Sequence, residues 1–297
     1  NSSDSKNTDY SSLLGVSQKQ DALDTISVIG DSYSDIIIVD HYSLDIYWEK
    51  ALRNYAKKIM VIDDLANRKH DCDIVLNQNF FSQNSDLYLN NTPKHCVRLL
   101  GPKFALLGNE YRLAKQNLSK HKGRVDKVLI YFGSSPHSSL ISKVLEVFQN
   151  KVLRQIKLDI VIGMNTNEIE SIKSFCKIRP NSEIHILVPN LSELMCESHL
   201  FIGAGGITTW ERICLGLPSI IITTGKNQEH NSKELDKKGY QQYLGDARLV
   251  TETKISNSIM RTLNSSDLLI EQSNLCRALV DANGVKRVSK SILEIIK

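Results

Sequence analysis

The sequence predicts an α/β protein made of two doubly wound, parallel-sheet halves. Three observations carry this reading. Short apolar runs rich in β-branched residues recur, such as Ile36-Ile37-Ile38-Val39 and Ile220-Ile221-Ile222; continuous runs of this kind fit strands buried on both faces. Helical patterns separate the runs, which is the alternation of a parallel sheet covered by helices. The alternation breaks at the polar, basic stretch 116–126 (QNLSKHKGRVD) and then restarts. At 297 residues the chain suits two domains of ordinary size or one large one.

Residues 1–12, rich in Ser, Asn and Asp, read as a loop or frayed end. A weak helical pattern covers 17–29. A first buried strand over 35–40 ends in Asp40-His41-Tyr42. A helix over 44–56 carries Trp48 and Leu52 on one face. Strands follow at 58–64, ending in Asp63-Asp64, at 73–76, ending in Asn77-Gln78-Asn79, and at 97–100, closed by Gly101-Pro102. Beyond the linker come a strand at 127–132 followed by Gly133-Ser134-Ser135, a helix at 139–148, a strand at 158–162, a helix at 168–176 and a strand at 184–188. Asn190 and Glu193 have the spacing of a capping box for the next helix. A strand from Leu200 meets the glycine cluster Gly203-Ala204-Gly205-Gly206, and a helix over 208–215 follows. Gly216 and Pro218 stand where a helix stops. A strand over 219–223 leads to a loop, Gly225-Lys226-Asn227-Gln228, then helices at 230–239, 252–263 and 288–296. The domains expected are 1–118, 124–280 and a C-terminal helical segment, 281–297.

Composition removes several function classes. Net charge is +4 with both signs well mixed, too mild for a nucleic-acid partner. Lys120, Lys122 and Arg124 form a small cluster that reads as a solvated linker. None of the six cysteines forms a CxxC pair and their spacing fits no zinc template, so reduced thiols and a cytoplasmic location are expected. No apolar span reaches membrane length and no signal peptide is visible.

The glycine turn is the chemistry-bearing stretch. Glycines let backbone approach a ligand closely, and the helix that follows points N–H groups and a positive dipole end at the same place, which suits a phosphate. Glu211, about one turn in, could accept hydrogen bonds from a sugar hydroxyl. The spacing is neither GxGxxG nor a P-loop, so a ligand-free strand-to-helix turn remains the alternative. Ser134-Ser135 offers a second phosphate loop or an ordinary turn. Asn227-Gln228 would face the same end of the sheet or be solvated. Asp63-Asp64 and Asp40-His41-Tyr42 could shuttle a proton or bind a metal, or could cap loops and pair with arginine. His70-Asp71-Cys72-Asp73 could ligate a metal, but no second ligand group accompanies it. No GxSxG elbow is present.

Seven stretches along nearly the whole chain then carry a resemblance: LLGVSQKQDA (13–22), IIVDHY (37–42), VIDDLANRKHDCDIVLNQN (61–79), LLGPKFALL (99–107), GAGGITTWERICLGLPSI (203–220), KNQ (226–228) and VDANGVKRV (280–288). They resemble the hydrolase family of pseudaminic acid biosynthesis that releases UDP from UDP-2,4-diacetamido-2,4,6-trideoxy-β-L-altropyranose. That family is similar in fold to type B glycosyltransferases, with two Rossmann-like domains, the nucleotide sugar in the cleft and the C-terminal helix packed back on the first domain. The resemblance implies cleavage at the anomeric carbon with inversion, without metal or other cofactor. It implies that Gly205, Gly206, Thr208, Thr209 and Glu211 hold the diphosphate and ribose. Asn227 and Gln228 would lie near phosphate or sugar, with Ser134 and Ser135 lining the same site. Tyr42 would stand on the sugar side as the catalytic candidate.

The chain departs from the family in one place. The family opens with a glycine-rich strand–loop–helix whose GTGH-like end supplies a histidine that activates water or assists the leaving group. Neither His41, His70 nor His137 matches it. Two readings follow: a fragment of a normal enzyme, or a protein without its general base that binds and turns over poorly. A chain of these bounds is expected to be unstable or inactive, with an open gap in its first sheet. Three functions remain: the UDP-sugar hydrolase, a glycosyltransferase in which an acceptor replaces water, and a non-catalytic nucleotide-sugar-binding module. A monomer is admissible.

Overall fold

The computed structural model describes residues 10–81, 87–133, 138–163 and 169–297. The chain divides into two compact units, residues 1–106 with 284–297, and residues 107–283. Each is a Rossmann-like layer of parallel strands with helices on its faces.

In the first unit, α1 (Gln18–Ile29), β1 (Ser34–Val39), α2 (Ile46–Leu52), β2 (Ala56–Ile62), β3 (Ile74–Asn77) and β4 (Val97–Leu100) precede the C-terminal helix α11 (Gly284–Ile296). The four strands pair in chain order, all parallel. The predicted 44–56 helix is shorter than its pattern. Asp45 caps it, its Oδ1 accepting the Tyr47 N–H at 2.9 Å, and a 3-10 turn at Arg53–Tyr55 hands the chain to β2 at Ala56. Alternation along β2 separates two cores. Ile59 and Val61 join Trp48, Leu52, Val75 and Tyr88 on the α1–α2 side. Met60 joins Ile74, Leu76, Leu99 and Val288 on the other. α11 covers that second face with Val288, Ile292 and Ile295, the i, i+4, i+7 stripe of an amphipathic helix. Arg287 donates to the Lys103 carbonyl at 2.8 Å, and Lys57 bonds the Ile296 carbonyl.

In the second unit, α3 (Asn109–Asn117) leads into β5 (Lys127–Tyr131), α4 (Ser138–Val147), β6 (Lys157–Ile162), α5 (Ile169–Ile178), β7 (Ser182–Ile186), α6 (Ser192–Glu197), β8 (Leu200–Gly203), α7 (Thr208–Leu215), β9 (Ser219–Thr223), α8 (Lys226–Lys237), β10 (Gln242–Asp246), α9 (Glu252–Leu263) and α10 (Ser266–Leu279). The all-parallel sheet runs in the order β10-β9-β8-β5-β6-β7. Its core joins Val128, Ile130 and Ile202 from the sheet to Val144 and Phe148 from α4 and its C-terminal end and Ile255 and Ile259 from α9.

The unit boundary falls at residue 106, ahead of the polar stretch expected to be the linker. Polar side chains tie that stretch to the second unit. Lys115 donates to the carbonyls of Cys214, Arg277 and Val280, at 3.2, 2.7 and 2.6 Å, at or just beyond the ends of α7 and α10. Arg277 returns two bonds of 2.8 Å to the Leu118 and Ser119 carbonyls. Gly216 closes α7 at φ 67°, ψ 32°, a left-handed conformation that favours glycine. The cap of α6 sits one residue later than expected: Leu191 holds the cap position, while Asn190 Oδ1 accepts the Ser192 N–H at 3.2 Å.

Candidate functional site

The second unit sets its glycine turn at the point where strand order reverses. β8 lies between β5 and β9, with β6 and β7 on one side and β10 on the other. Ligands of open α/β sheets bind beyond the carboxyl ends of the strands at such a point. α7 starts there with no side-chain cap; its Thr209 and Trp210 N–H groups bond the Gly206 and Ile207 carbonyls at 3.0 and 3.2 Å, so what the helix offers an anion is the positive end of its dipole. A Cβ on Gly205 would lie 2.5 Å from Ser232 Oγ, so glycine is what allows α8 to lie against the turn. Gln228 Nε2 comes within 3.7 Å of the place where a Gly206 Cβ would be.

Asn227 and Gln228, read from sequence as loop, stand on the first turn of α8. The helix begins early because the Gln228 N–H already bonds the Gly225 carbonyl at 3.1 Å. Gln228 Oε1 accepts the Thr224 N–H at 3.0 Å, which orients its amide beside the glycine turn. Thr208 and Thr209 are buried, and Thr209 Oγ1 has no hydrogen-bond partner among the described residues.

Glu211 is the unsatisfied charge of this neighbourhood. Burial raises its pKa; the Tyr111 hydroxyl lowers it by a hydrogen bond, and Glu110 adds to the rise. Its Oε2 is buried without a partner among the described residues. A buried carboxylate oxygen of this kind is costly unless a donor arrives, and paired sugar hydroxyls supply two. Sequence reasoning missed Tyr111, which reaches Glu211 from α3, and Tyr131, whose pKa rises through burial and then through the Glu211 charge. The next residue, Arg212, is structural. Fully buried, it donates to Ser219 Oγ at 2.5 Å and to Gln241 Oε1, and burial lowers its pKa to about 10. Gly205, Gly206, Thr208, Thr209, Glu211, Asn227 and Gln228 thus gather at one end of one sheet. Ser134 and Ser135, with His137, lie outside the described residues.

In the first unit, parallel pairing brings the carboxyl ends of β1, β2 and β3 together. The two neighbouring aspartates take different parts. Asp63 is a structural anchor. Its Oδ1 takes Arg68 Nη1 at 2.6 Å, and its Oδ2 takes the Tyr88 hydroxyl at 2.7 Å and the Ala66 N–H at 2.8 Å. Burial would raise its pKa, but Arg68, Tyr88 and His70 together hold it below the ordinary carboxylate value. Arg68 also donates to the carbonyls of Leu44 and His41, at 2.8 and 3.2 Å, clamping the end of β1 to that of β2. Behind Asp63, buried His70 Nδ1 lies 2.6 Å from Glu49 Oε1.

Asp64 points the other way. Its Oδ2 accepts the Tyr42 hydroxyl at 3.1 Å, and its Oδ1 is buried without a partner among the described residues. Burial, then the charges of Asp63 and Asp40, raise its pKa to about 6 against the Tyr42 hydrogen bond. The Tyr42 ring packs on Tyr10, centroids 4.8 Å apart.

The metal cluster suggested by His70-Asp71-Cys72-Asp73 dissolves into ion pairs. Arg53 bridges Asp71 and Asp73 at 3.1 and 2.5 Å, and the Cys72 and Cys96 sulfurs lie 3.6 Å apart. Among the described residues one group of three, Asp159, Glu183 and His185, has ligand-type atoms within 4.8 Å of one another. Lys127 Nζ already lies 2.7 Å from Asp159 Oδ2 there. No helix among the described residues is long and apolar enough to cross a membrane.

The chain is similar to proteins of known sequence and structure. Over 218 residues the chain is 28% identical to the UDP-2,4-diacetamido-2,4,6-trideoxy-beta-L-altropyranose hydrolase of Campylobacter jejuni, spanning 73% of this chain and 76% of that protein. It is also 28% identical over 228 residues to an uncharacterised protein of Methanocaldococcus jannaschii, spanning 74% of this chain and 45% of that longer protein. Among solved structures, the UDP-GlcNAc 2-epimerase of Neisseria meningitidis bound to UDP-GlcNAc superposes with a TM-score of 0.67 at 13% identity, over 98% of this chain and 84% of that one. That likeness shows the fold, the paired Rossmann-like plan of type B glycosyltransferases. Residues 127–289, more than half of the chain, match the glycosyltransferase family 28 C-terminal domain, and the chain belongs to that family.

Proposed function

We propose that the protein hydrolyses a UDP-sugar, breaking the bond between the anomeric carbon and the diphosphate and releasing UDP and free sugar. A UDP-2,4-diacetamido-2,4,6-trideoxyhexose of the altro series, as in pseudaminic acid biosynthesis, is the substrate proposed. The observation that carries the nucleotide half is the uncapped start of α7 beside Glu211, whose buried Oε2 lacks a donor among the described residues. The N–H groups around Gly205 and Gly206 and the dipole of α7 would hold the diphosphate, an anion that a helix N-terminus favours. Thr208 and Thr209 would add hydroxyl donors, Thr209 Oγ1 having no partner among the described residues. Glu211, steadied by Tyr111, would take the ribose hydroxyls. Asn227 and Gln228 would bond a phosphate or the sugar, and Ser134 and Ser135 are carried into the same role by the family motif. In the first unit, Tyr42 would serve the sugar side. The reaction needs water to attack the anomeric carbon while UDP departs with the bonding pair. Donors placed before the reaction stabilise charge growing on the leaving diphosphate.

Membership of a glycosyltransferase family supports a second reading, in which an acceptor hydroxyl replaces water. The two separate in one assay. The full-length protein is given UDP-sugars with and without a lipid-linked sugar acceptor, and the sugar product is followed by mass spectrometry. Hydrolysis predicts free reducing sugar at a rate that the acceptor leaves unchanged. Product appearing only on the acceptor would replace the hydrolase reading with transfer, and UDP-sugar binding without turnover would replace both with a binding module.

A further inference from the structure

Two thiols meet in the core of the first unit. Cys72 and Cys96 are both buried in the cluster that holds Trp48 and Tyr88, and their sulfurs lie 3.6 Å apart. Among the described residues they are the one pair of cysteines that hydrogen-bond sulfur to sulfur. Parallel pairing puts them there. Ile74 of β3 stands beside Val97 of β4, and the Val97 N–H bonds the Asp73 carbonyl at 2.8 Å. Cys96 therefore comes opposite Asp73, one place along from Cys72. Strands about 4.8 Å apart that rise about 3.3 Å per residue put the two Cα atoms about 6 Å apart, inside the span of about 4.4–6.8 Å that disulfides take. The two thiols are not alike. Cys96 is held below the ordinary thiol value by the Cys72 hydrogen bond, against burial, with Thr92 and Arg98 adding to the fall. Cys72 is pushed up by the same hydrogen bond and by burial. Cys96 also keeps 5% of its surface exposed, and Cys72 none.

We propose that Cys72 and Cys96 form a reversible oxidation site, which an oxidant of the hydroperoxide class closes to a disulfide that staples the entrance of β3 to that of β4. The site does not depend on the reaction proposed above. The step balances. The Cys96 thiolate attacks one oxygen of hydrogen peroxide, and the O–O bond breaks to give a sulfenic acid and hydroxide, which takes up the Cys96 proton as water. The Cys72 sulfur then attacks the Cys96 sulfur and expels hydroxide, which leaves as water with the Cys72 proton. The two thiols together lose two electrons, and the peroxide is reduced to water. The thiolate is the attacking form, and Cys96, the more acidic of the two, is also the one a small oxidant meets first. The sulfurs need to close by about 1.5 Å to reach the ordinary bond length of about 2.05 Å. The staple closes a ring on the segment that steadies the strand ends. Between the two cysteines, Tyr88 bonds Asp63, Asn91 Nδ2 bonds the Ala66 carbonyl at 2.9 Å, and Thr92 Oγ1 bonds the Tyr88 carbonyl at 2.9 Å. A cross-link there constrains the unfolded chain and so favours the state in which these contacts are made.

The test treats the full-length protein with hydrogen peroxide, blocks the remaining thiols under denaturing conditions and digests with trypsin. Cleavage after Lys69, Lys94 and Arg98 puts the two cysteines on separate peptides, 70–94 and 95–98. The expected product is these two peptides joined with the loss of two hydrogens, and separated again by dithiothreitol. Oxidised protein is expected to melt about 5–10 °C above reduced protein, the shift that a disulfide of ordinary strength gives. Cys96→Ser is expected to remove the linked peptides and the rise together. The peptide map of the wild type stands whether or not that variant folds. Wild-type protein in which Cys72 and Cys96 stay unlinked after peroxide, oxidise singly to sulfinic acids, or link to other cysteines overturns the site. A linked pair with no rise in the melting midpoint, or a rise that persists in Cys96→Ser, overturns the staple.

Discussion

Asp63→Ala is expected to lower stability by about 3–5 kcal/mol, the usual cost of stranding the partner of a buried ion pair. The side chain of Asp63 is fully buried. Its loss takes the carboxylate acceptor from Arg68 Nη1 and the Ala66 N–H, and leaves the Tyr88 hydroxyl with the main-chain carbonyl of residue 63, at 2.9 Å in the wild type. Arg68 would then no longer clamp the end of β1 against that of β2. Urea denaturation read by tryptophan fluorescence suits the measurement, because Trp48 lies in the same core. The pH dependence has a definite sign. The folded-state pKa of Asp63 lies below its ordinary value, so burial is outweighed by Arg68, the Tyr88 hydrogen bond and His70. Its contribution is complete above the ordinary carboxylate range, near pH ~4, and is lost as pH falls through the lower folded value. Asp63→Asn should therefore flatten that acid limb. A loss below about 1 kcal/mol, the scale of an exposed pair, would show that Asp63 is not an anchor.

Glu211→Ala is expected to weaken UDP binding by about 10²–10³-fold. The arithmetic is two charge-assisted hydrogen bonds to the ribose at about 1.5–3 kcal/mol each, offset in part by removing a carboxylate that burial already disfavours. Calorimetry with three ligands isolates the role. UDP and UMP, which carry the ribose, should lose affinity alike, and inorganic pyrophosphate, which lacks it, should bind as before. Tyr111→Phe should show a milder version of the same pattern, because it loosens Glu211 without removing it. Equal losses for pyrophosphate and UDP would place Glu211 on the diphosphate instead.

Much of the fold was legible because buried parallel strands leave plain marks. The runs that became β1, β2, β5, β8 and β9 are largely apolar and begin or end within about two residues of their expected bounds. β10 was not legible: Gln242-Tyr243-Leu244-Gly245-Asp246 mixes polar residues and a glycine into an edge strand. α3 was hidden for a different reason. Its residues are mostly polar, and the roles of Lys115 and Tyr111 depend on groups far along the chain, the Cys214 carbonyl and Glu211. α10 was missed as well, its buried side being built from Gln272, Ser273 and Cys276 as much as from Leu269.

The candidate site divides in the same way. The glycine turn and Glu211 could be found in sequence because a local strand–turn–helix needs those residue types next to one another. Which strand-end carboxylate is structural and which is left unsatisfied could not. Asp63 and Asp64 are neighbours in sequence, and their difference comes from Arg68 and Tyr88 converging on one of them and Tyr42 on the other. Asn227 and Gln228 were assigned to the right end of the sheet but to a loop, because Gly225 masks how early α8 begins.

The central claim is that water attacks the anomeric carbon of a UDP-sugar. Its most direct test is turnover by the full-length protein in ¹⁸O-labelled water, with both products read by mass spectrometry and the sugar anomer read at once by proton NMR. The account predicts one ¹⁸O in the free sugar, none in UDP, and an anomer inverted relative to the substrate. Label in the β-phosphate of UDP would mean cleavage at phosphorus and would contradict it.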